Sequence, residues 1–262
     1  MAEADRAQAR IRTRSAEGIV LKHTDWGEAD RLLVIFTREQ GKVRAIAKGV
    51  RKPHSRKTGH LEPFTQVKLL LARGRDLAIV TQAEAIELFQ PLREDMLLTS
   101  YASYIVELLD RFTYEEGANL PLYRLLKDSL SRLCAGSQSE LVLRYYEMRL
   151  LDMVGFRPQL FKCINCEKEI EPQDQFFSAA RGGVLCPDCG RIEPGSRPVT
   201  ETSLKYMRHF QRSSYKEAAR ANPTPAVYHE METLMGHYLT YVLEHGLNTP
   251  AFIRRAREKS RD

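Results

Sequence analysis

GIVLKHTDWGEADRLLVIFTREQGKVRAIAKGVRK, residues 18–52, is the stretch that decides the fold of the N-terminal part of the chain. It contains three short apolar runs, GIVLKH, RLLVIFTR and KVRAIAKG, with turn-forming glycines at Gly27 and Gly41 between them. Two similar runs, TQVKLLLA and LAIVTQA, follow within residues 65–83 and flank the turn RGRD. Short runs of this composition, bounded by turn residues, predict five β-strands.

Five short strands without a helix between them indicate a small antiparallel barrel. A barrel of this length with a basic loop after its third strand fits the OB-fold, although an SH3-like barrel would have a similar number of strands. The strand face and connecting loops of OB-folds commonly bind single-stranded nucleic acid. We therefore expect residues 1–85 to form an OB-fold-like nucleic-acid-binding barrel.

The periodicity changes after about residue 90, where apolar residues begin to recur every three or four positions. Helices are predicted at residues 96–112, 120–133, 141–153, 200–212 and about 224–245. The basic segment RRAREK, residues 254–259, is expected to be a solvated or frayed end. The predicted fold class is therefore α+β, with a helical domain formed by residues 86–156 and 200–262 after the barrel.

Four cysteines form two close pairs, Cys163 and Cys166 in CINC, and Cys186 and Cys189 in CPDC. Each spacing lets one tight turn direct two thiolates toward the same point. The pattern predicts a closed structural Zn²⁺ site, because Zn²⁺ is borderline-soft and accepts four thiolates in a tetrahedron. A closed shell leaves no position for water and argues against metal catalysis. We expect residues 157–199 to form a zinc module inserted in the helical domain.

Two other interpretations of the cysteine pairs are weaker. A disulfide framework would need an oxidising compartment, and the N-terminal MAEADRAQARIRTRS has no apolar signal segment. A redox dithiol would normally use one pair beside a strand-to-helix turn. We expect Gly182, Gly183 and Gly190 to permit close backbone approach and to present amide donors to the sulfurs. The fifth cysteine, Cys134, lies in an apolar-periodic helix and is predicted to be a buried core residue.

Positive charge is concentrated in the first third of the chain. The formal net charge is +6, but residues 1–80 contain 17 Lys and Arg against 9 Asp and Glu. Residues 42–57, KVRAIAKGVRKPHSRK, contain no acidic residue. A solvated loop would explain such a run, whereas strand alternation would place Lys42, Arg44 and Lys48 on one side of a strand and continue the stripe into the loop. A stripe of this kind suits the neutralisation of phosphates.

We predict that this stripe contacts a nucleic-acid backbone without reading base edges. The predicted DNA-binding residues are Lys22, Lys42, Arg44, Lys48, Arg51, Lys52, Arg56, Lys57, Arg73 and Arg75. Trp26 and Phe64 are candidates for base stacking, but an isolated aromatic residue near a turn is more often part of the core.

The sequence contains none of three common catalytic motifs. These are the GxxxxGK[ST] phosphate loop, the serine elbow and the histidine-glutamate zinc motif. The carboxylates Glu28 and Asp30 lie on a turn, where loop solvation explains them better than catalysis. No run approaches the roughly 18 uncharged apolar residues needed to span a bilayer. We expect a soluble, cytoplasmic protein that is not an enzyme and has no catalytic residues.

The parts of the chain, taken in this order, resemble the bacterial recombination mediator family RecO over essentially the whole length. The resemblance is carried by residues 18–52, by FRPQLFKCINC at 156–166 and by YLTYVLEHGLNTPAFIRR at 238–255. It implies a non-enzymatic, nucleoid-associated DNA-repair protein that binds single- and double-stranded DNA, anneals complementary strands and acts with RecR. Such proteins help load RecA onto DNA covered by single-stranded-DNA-binding protein, whose acidic tail they contact through the helical domain.

Two points stay open beside this resemblance. Arg124, Lys127 and Arg132, next to Leu125 and Leu126, are candidates for contact with the acidic tail, although a solvated helix face explains them equally well. A zinc-containing RNA-binding or transcription-linked OB-fold protein would share the basic barrel and the cysteine pairs, and is the alternative function. Not every RecO protein keeps four cysteines, so zinc is interpreted here as a stabilising element.

Overall fold

The computed structural model describes residues 13–115 and 117–259 of the 262-residue chain. The chain divides into two compact units, Met1–Ala102 with Thr113–Cys134, and Ser103–Phe112 with Ala135–Asp262. Each unit is described separately below. The three-part domain division expected from the sequence stays a prediction.

The first unit contains a closed five-stranded barrel. Its strands are β1 (Arg14–Trp26), β2 (Asp30–Thr37), β3 (Gly41–Ala47), β4 (Gln66–Ala72) and β5 (Ala78–Glu87). Their order around the barrel is β1-β2-β3-β5-β4, with β1 paired to both β2 and β4. This is the OB-fold arrangement, so the predicted fold class is confirmed, including the five strands.

One pairing differs from the antiparallel barrel expected from the sequence. An odd number of strands cannot alternate in direction all the way around a closed barrel. The odd pairing joins β3 to β5, which run parallel through only two residue pairs, Ala45 with Ala78 and Ile46 with Ile79. This parallel seam is therefore the shortest pairing in the barrel, and side chains near it matter for closure.

The barrel interior is filled by the inward-facing residues of the alternating strands. Val20, Ile35, Ala47 and Val67 are all 0 % exposed. A β-bulge interrupts the pairing of β1 with β2 between Val20 and Lys22. Because a bulge bends the strand, β1 can pair with β4 along its first half and with β2 along its second.

Helices complete the first unit around the barrel. They are α1 (Pro91–Glu94), the first part of α2 (Met96–Phe112) and α3 (Leu120–Cys134). Tyr123 on α3 donates a hydrogen bond of 2.9 Å to Glu17 on β1, and Gln66 on β4 donates to the same carboxylate oxygen at 2.7 Å. Cys134, predicted to be buried, is only partly buried at the end of α3, and burial raises the pKa of its thiol.

The second unit is mainly helical. Its elements besides the end of α2 are α4 (Ser139–Met153), β6 (Gln175–Ser178), β7 (Gly183–Leu185), α5 (Pro187–Ile192), β8 (Arg197–Val199), α6 (Glu201–Arg212), α7 (Tyr215–Ala218), α8 (Pro225–Leu243) and α9 (Thr249–Lys259). Helix α4 is buried on nearly every side between Leu141 and Met148. The five long helices predicted from periodicity are confirmed.

A charged pair is buried inside this helical core. Glu147 is 0 % and Arg144 is 4 % exposed, and their side chains form an ion pair of 3.0 Å on α4. Tyr104 on α2 donates a hydrogen bond of 2.6 Å to the same Glu147 oxygen. Burial raises the pKa of Glu147 to about 7 even though Arg144 and Tyr104 both favour its ionised form. The Glu147 carboxyl group therefore titrates near neutral pH.

The expectation of a frayed C-terminal end is wrong, although the charged side chains of Arg254, Arg255, Glu258 and Lys259 are solvent-exposed. Residues Thr249–Lys259 form helix α9, and Ile253 and Ala256 are 3 % and 2 % exposed. Glu107 on α2 accepts hydrogen bonds from the backbone N–H groups of Asn248 and Thr249 and so holds the start of the helix. None of the described helices combines the length and apolar character needed to cross a membrane.

Candidate nucleic-acid interface and metal centre

Two predicted basic residues lie in one row across three strands of the barrel. The registers pair Val34 on β2 with Lys22 on β1 and with Arg44 on β3. Residues directly opposite one another in a sheet share a face, and both cations are exposed. Lys42 lies two residues before Arg44 and therefore points to the same side. The row forms a positive strip about three strands wide.

The strip continues at one end of β3 into the loop between β3 and β4. Lys48, Arg51, Lys52 and Arg56 are all exposed in this loop. The loop is held by the barrel, since Asp30 accepts a hydrogen bond of 2.7 Å from the Gly49 backbone N–H group. We call this loop, residues 48–57, the basic loop.

Lys57 differs from the other residues of the basic loop. Its ammonium group donates hydrogen bonds to the backbone carbonyls of Lys48, at 2.9 Å, and Val80, at 3.2 Å. Burial lowers the pKa of Lys57, while the charge of Asp30 acts in the opposite direction. Lys57 therefore joins the end of β3 to β5 beside the short parallel seam, and its charge is directed at backbone oxygens.

Acidic residues engage some of the predicted cations. Arg51 lies 3.3 Å from Asp25 and donates a weaker 3.4 Å hydrogen bond to the Gly27 carbonyl. Arg44 lies 3.7 Å from Glu115, with both side chains at least half exposed. Exposed pairs of this kind contribute about 0–1 kcal/mol and exchange easily for a phosphate.

A charge network beneath Arg51 was not found from the sequence. Arg31 binds Asp25 at 3.0 Å and Glu62 at 2.7 Å, and His23 lies 3.1 Å from Glu62. Burial alone would raise the pKa of Glu62, but the hydrogen bonds and charges of Arg31 and His23 lower it. These contacts between β1, β2 and residue 62 join distant parts of the chain, so no local pattern reveals them.

Arg73 and Arg75 lie in the turn between β4 and β5, at the opposite end of β3 from the basic loop. Ala78, which follows this turn, is paired with Ala45 in the first half of β5 and the middle of β3. Both arginines are exposed. All ten predicted DNA-binding residues thus belong to the first unit, although only Lys22, Lys42 and Arg44 are positioned by strand register.

The two aromatic candidates have different environments. Phe64 is 5 % exposed and belongs to the core, as the more common interpretation of such residues predicts. Trp26 is 57 % exposed at the end of β1, so the core interpretation is wrong for this residue. A hairpin tip offers no interior for a large ring, and the Trp26 side chain remains open to a ligand.

The structure also changes the interpretation of the α3 residues that were candidates for contact with the acidic tail of single-stranded-DNA-binding protein. Leu125 and Leu126 are 7 % and 0 % exposed, so they pack inward and provide no apolar border. Arg132 has an ion pair with Asp128 at 3.7 Å. Arg124 remains exposed on the helix surface.

The four predicted cysteines meet in the second unit. Their Sγ atoms all lie within 4.8 Å of one another, and the pair Cys166 and Cys186 is 3.8 Å apart. Four sulfurs at about 2.3 Å from one ion would be about 3.8 Å apart in a regular tetrahedron. A disulfide requires about 2.05 Å. The arrangement therefore fits one tetrahedral metal ion, and it is the only His, Cys, Asp or Glu group of this kind among the described residues.

Local hydrogen bonds shape this cysteine cluster. Burial disfavours the thiolate of Cys163, but backbone N–H groups of Cys166, Cys186 and Asn165 donate to it and lower its pKa to about 6. The Asn165 side-chain amide donates to Cys189 Sγ at 3.3 Å. Donors aimed at sulfur stabilise the ionised thiolates that bind a metal.

The expected role of the glycines is correct for close approach and wrong for hydrogen bonding to sulfur. A Cβ atom on Gly190 would lie 2.3 Å from the Phe176 ring, and one on Gly183 would lie 2.7 Å from the Gln159 carbonyl oxygen. However, the Gly190 N–H group donates to the Cys186 carbonyl at 2.8 Å. The glycines make room for the second cysteine pair, whereas residues of the cysteine turns supply the donors.

Comparison with known proteins places this architecture in a family. Residues 12–89 match the family model "Recombination protein O N terminal", and residues 93–251 match "Recombination protein O C terminal". The chain is 38% identical to the DNA repair protein RecO of Roseiflexus sp. (strain RS-1), over 96% of this chain and 89% of the relative. It is 32% identical to the DNA repair protein RecO of Bacillus pumilus (strain SAFR-032), over 85% and 86%. The chain therefore belongs to the RecO family of DNA repair proteins.

Proposed function

We propose that this protein is a recombination mediator that binds single- and double-stranded DNA through the phosphate backbone. The observation that carries the proposal is the row of Lys22 and Arg44 on either side of Val34, continued by the exposed Lys48 and Lys52 of the basic loop. Because these cations are attached to a rigid strand face, they neutralise phosphates with a small loss of conformational entropy.

The composition of this face favours strand annealing. Leu32 and Ile46 are paired in the row next to Val34, and all three are aliphatic and partly buried. Contacts to phosphates position a strand but leave the base edges unread. A strand held in this way keeps its bases available for a complementary strand, while the lysines and arginines reduce the repulsion between the two backbones.

The ten predicted DNA-binding residues remain part of the proposal, with different roles. Nine of them contact phosphates, whereas Lys57 holds the basic loop against β5 through the carbonyls of Lys48 and Val80. Trp26 supplies one exposed ring for base stacking at the tip of the β1–β2 hairpin.

We further propose that the cysteine cluster holds one structural Zn²⁺ ion. The bound ion supplies crosslinking and no chemistry, because four thiolates fill its coordination shell. The short strands β6, β7 and β8 contain three or four residues each. The apolar side chains of Phe177, Val184, Leu185 and Val199 are at most 1 % exposed, and the ion adds a crosslink that stabilises this small sheet further.

Family membership supports the proposed partners. We propose that the protein acts with RecR, contacts the acidic tail of single-stranded-DNA-binding protein through its helical part, and thereby helps load RecA onto DNA. These steps require binding and no bond-making chemistry, so we propose no catalytic residue. The proposed location is the cytoplasm, in association with the nucleoid.

An annealing assay tests this function. Complementary DNA strands coated with single-stranded-DNA-binding protein should anneal faster when the protein is added. The variant Arg44→Gln/Lys52→Gln should lose most of this acceleration, because it removes two phosphate contacts. Lys216→Gln changes an exposed lysine on α7, which belongs to the second unit and is not among the predicted DNA-binding residues, and it should retain the activity.

Two results would contradict the proposal. One is annealing that is unchanged in the barrel variant. The other is acceleration of RNA annealing with none for DNA, which would favour the RNA-binding alternative.

A further inference from the structure

A cavity of about 390 Å³ lies at the end of the barrel opposite the basic loop. Its wall includes Arg14 at the start of β1, Gln40 in the β2–β3 turn, and Arg73, Arg75 and Asp76 in the β4–β5 turn. Small-molecule pockets span about 300–1,000 Å³, so this cavity is large enough for one nucleotide and too small for an extended strand.

The barrel register brings the first arginine to the turn that holds the other two. Arg14 is paired with Leu71 of β4, two residues before Arg73. A β-bulge between Leu70 and Leu71 breaks the regular β4–β5 ladder at this point. Bulges redirect the side chains that follow them, and here the redirected segment forms the cavity wall.

The backbone of the β4–β5 turn is closely packed around Gly74. A Cβ atom on Gly74 would lie 2.0 Å from the Leu77 carbonyl oxygen, so only glycine fits at this position. Arg73 and Arg75 flank Gly74 directly. The two arginines therefore extend from either side of a closely packed point in the cavity wall.

The net positive charge of the cavity lining favours an anionic ligand. Three arginines face it with one carboxylate, Asp76. Within the described part of the chain, none of these four side chains has an ion pair, and all four are exposed. Guanidinium groups match phosphate oxygens through paired hydrogen bonds. The apolar side chains of Leu71 and Leu77 add a surface for a sugar or base.

We propose that this cavity binds the phosphorylated end of a DNA strand. The inference rests on the proposed DNA-binding function, because a strand lying along β3 from the basic loop would reach the cavity with its end. A terminal phosphate carries a charge of about −1.5 to −2 near pH 7, and has three accessible oxygens. An internal phosphodiester carries only one charge. Three converging arginines therefore favour the terminal group.

Fluorescence anisotropy with the full-length protein tests this site. The probes are three deoxythymidine decamers that carry a 5′-phosphate, a 3′-phosphate or no terminal phosphate. One phosphorylated probe should bind about tenfold more tightly than the unphosphorylated probe, as expected for added charge-assisted hydrogen bonds. The identity of that probe gives the polarity of the bound strand.

Two matched variants assign the effect to the cavity. Arg73→Gln/Arg75→Gln should weaken the unphosphorylated decamer, because these arginines also contact internal phosphates. It should weaken the phosphorylated probe about tenfold more, so that the difference between the two probes is lost. Lys48→Gln/Lys52→Gln, which removes the same charge from the basic loop, should weaken all three probes by a similar factor and keep the difference. All four positions are exposed, so both variants should melt close to the wild-type temperature.

Three outcomes would overturn the proposal. Equal binding of the three decamers to the wild-type protein would exclude a site for a terminal phosphate. A uniform loss in the Arg73→Gln/Arg75→Gln variant would make these arginines ordinary backbone contacts. Competition by free thymidine monophosphate at the concentration of the decamer would make the ligand a free nucleotide. Failure to bind any decamer would instead refute the proposed function itself.

Discussion

Replacement of Lys57 by methionine should lower stability without changing the number of phosphates that the protein contacts. The ammonium group donates to two backbone carbonyls, at 2.9 Å and 3.2 Å, next to the parallel seam of the barrel. Hydrogen bonds from a charged donor contribute about 1.5–3 kcal/mol each when fully sheltered. Lys57 is only partly buried, so water replaces part of this interaction, and we expect a loss of about 1–2 kcal/mol.

The matched control is Lys52→Met, which removes the same charge from an exposed position in the same loop. Its stability should change by no more than about 0.5 kcal/mol. For its binding to single-stranded DNA, the slope of log K against log salt should become less steep by about 0.7, as expected when one phosphate contact is removed. Between 50 and 200 mM salt that change corresponds to about a 2.6-fold difference in the fall of affinity.

The assay combines thermal unfolding with anisotropy titrations of a deoxythymidine oligomer at several salt concentrations. Lys57→Met should melt about 2–8 °C below the wild type and keep its salt slope. Lys52→Met should melt at the wild-type temperature, and its slope of log K against log salt should be smaller. If Lys57→Met instead lost as much slope as Lys52→Met with an unchanged melting temperature, the assignment of Lys57 to the barrel seam would be refuted.

Three other changes have defined outcomes. Cys186→Ser should reduce the bound zinc below one equivalent by elemental analysis and lower the melting temperature, while the DNA salt slope stays the same; a metal-free wild-type protein of equal stability would contradict this. Because burial raises the pKa of Glu147 to about 7 from a normal value of 4.5, the folded state binds the extra proton, and wild-type stability should fall by up to about 1.4 kcal/mol per unit as pH rises through this window. Glu147→Gln should unfold in urea with a flatter pH dependence, and an unchanged pH dependence would argue against the buried titration. Trp26→Ala should weaken single-stranded DNA binding by about 1–3 kcal/mol with little change in stability; equal affinity would exclude stacking by this ring.

The sequence was sufficient for features that depend on near neighbours. Strand alternation and turn residues gave the barrel, and the Cys-x-x-Cys spacings gave the cluster, because each pair is positioned by a single turn. The start of α9 was also readable, since Thr249-Pro250 is a common helix beginning and Phe252, Ile253 and Ala256 follow at helical spacing. The basic composition of this segment obscured that signal.

Features that depend on distant contacts could not be read from the chain. Glu147 would be expected on the surface of a helix, and only the packing of α4 against its neighbours shows that it is buried with Arg144. In the same way, nothing in the sequence distinguishes Arg14, at the start of β1, until its pairing with Leu71 brings it to Arg73 and Arg75.

For this protein, the sequence alone indicated the five barrel strands, the five long helices, the four cysteines that cluster and the location of positive charge in the first third of the chain, because these follow from local spacing and composition. The tertiary structure decided what each charge contacts. Barrel closure brings Lys22 and Arg44 together across Val34, and it turns Lys57 toward the carbonyls of Lys48 and Val80. Such pairings join residues far apart in the chain, and their energies depend on burial and distance that only the folded barrel sets.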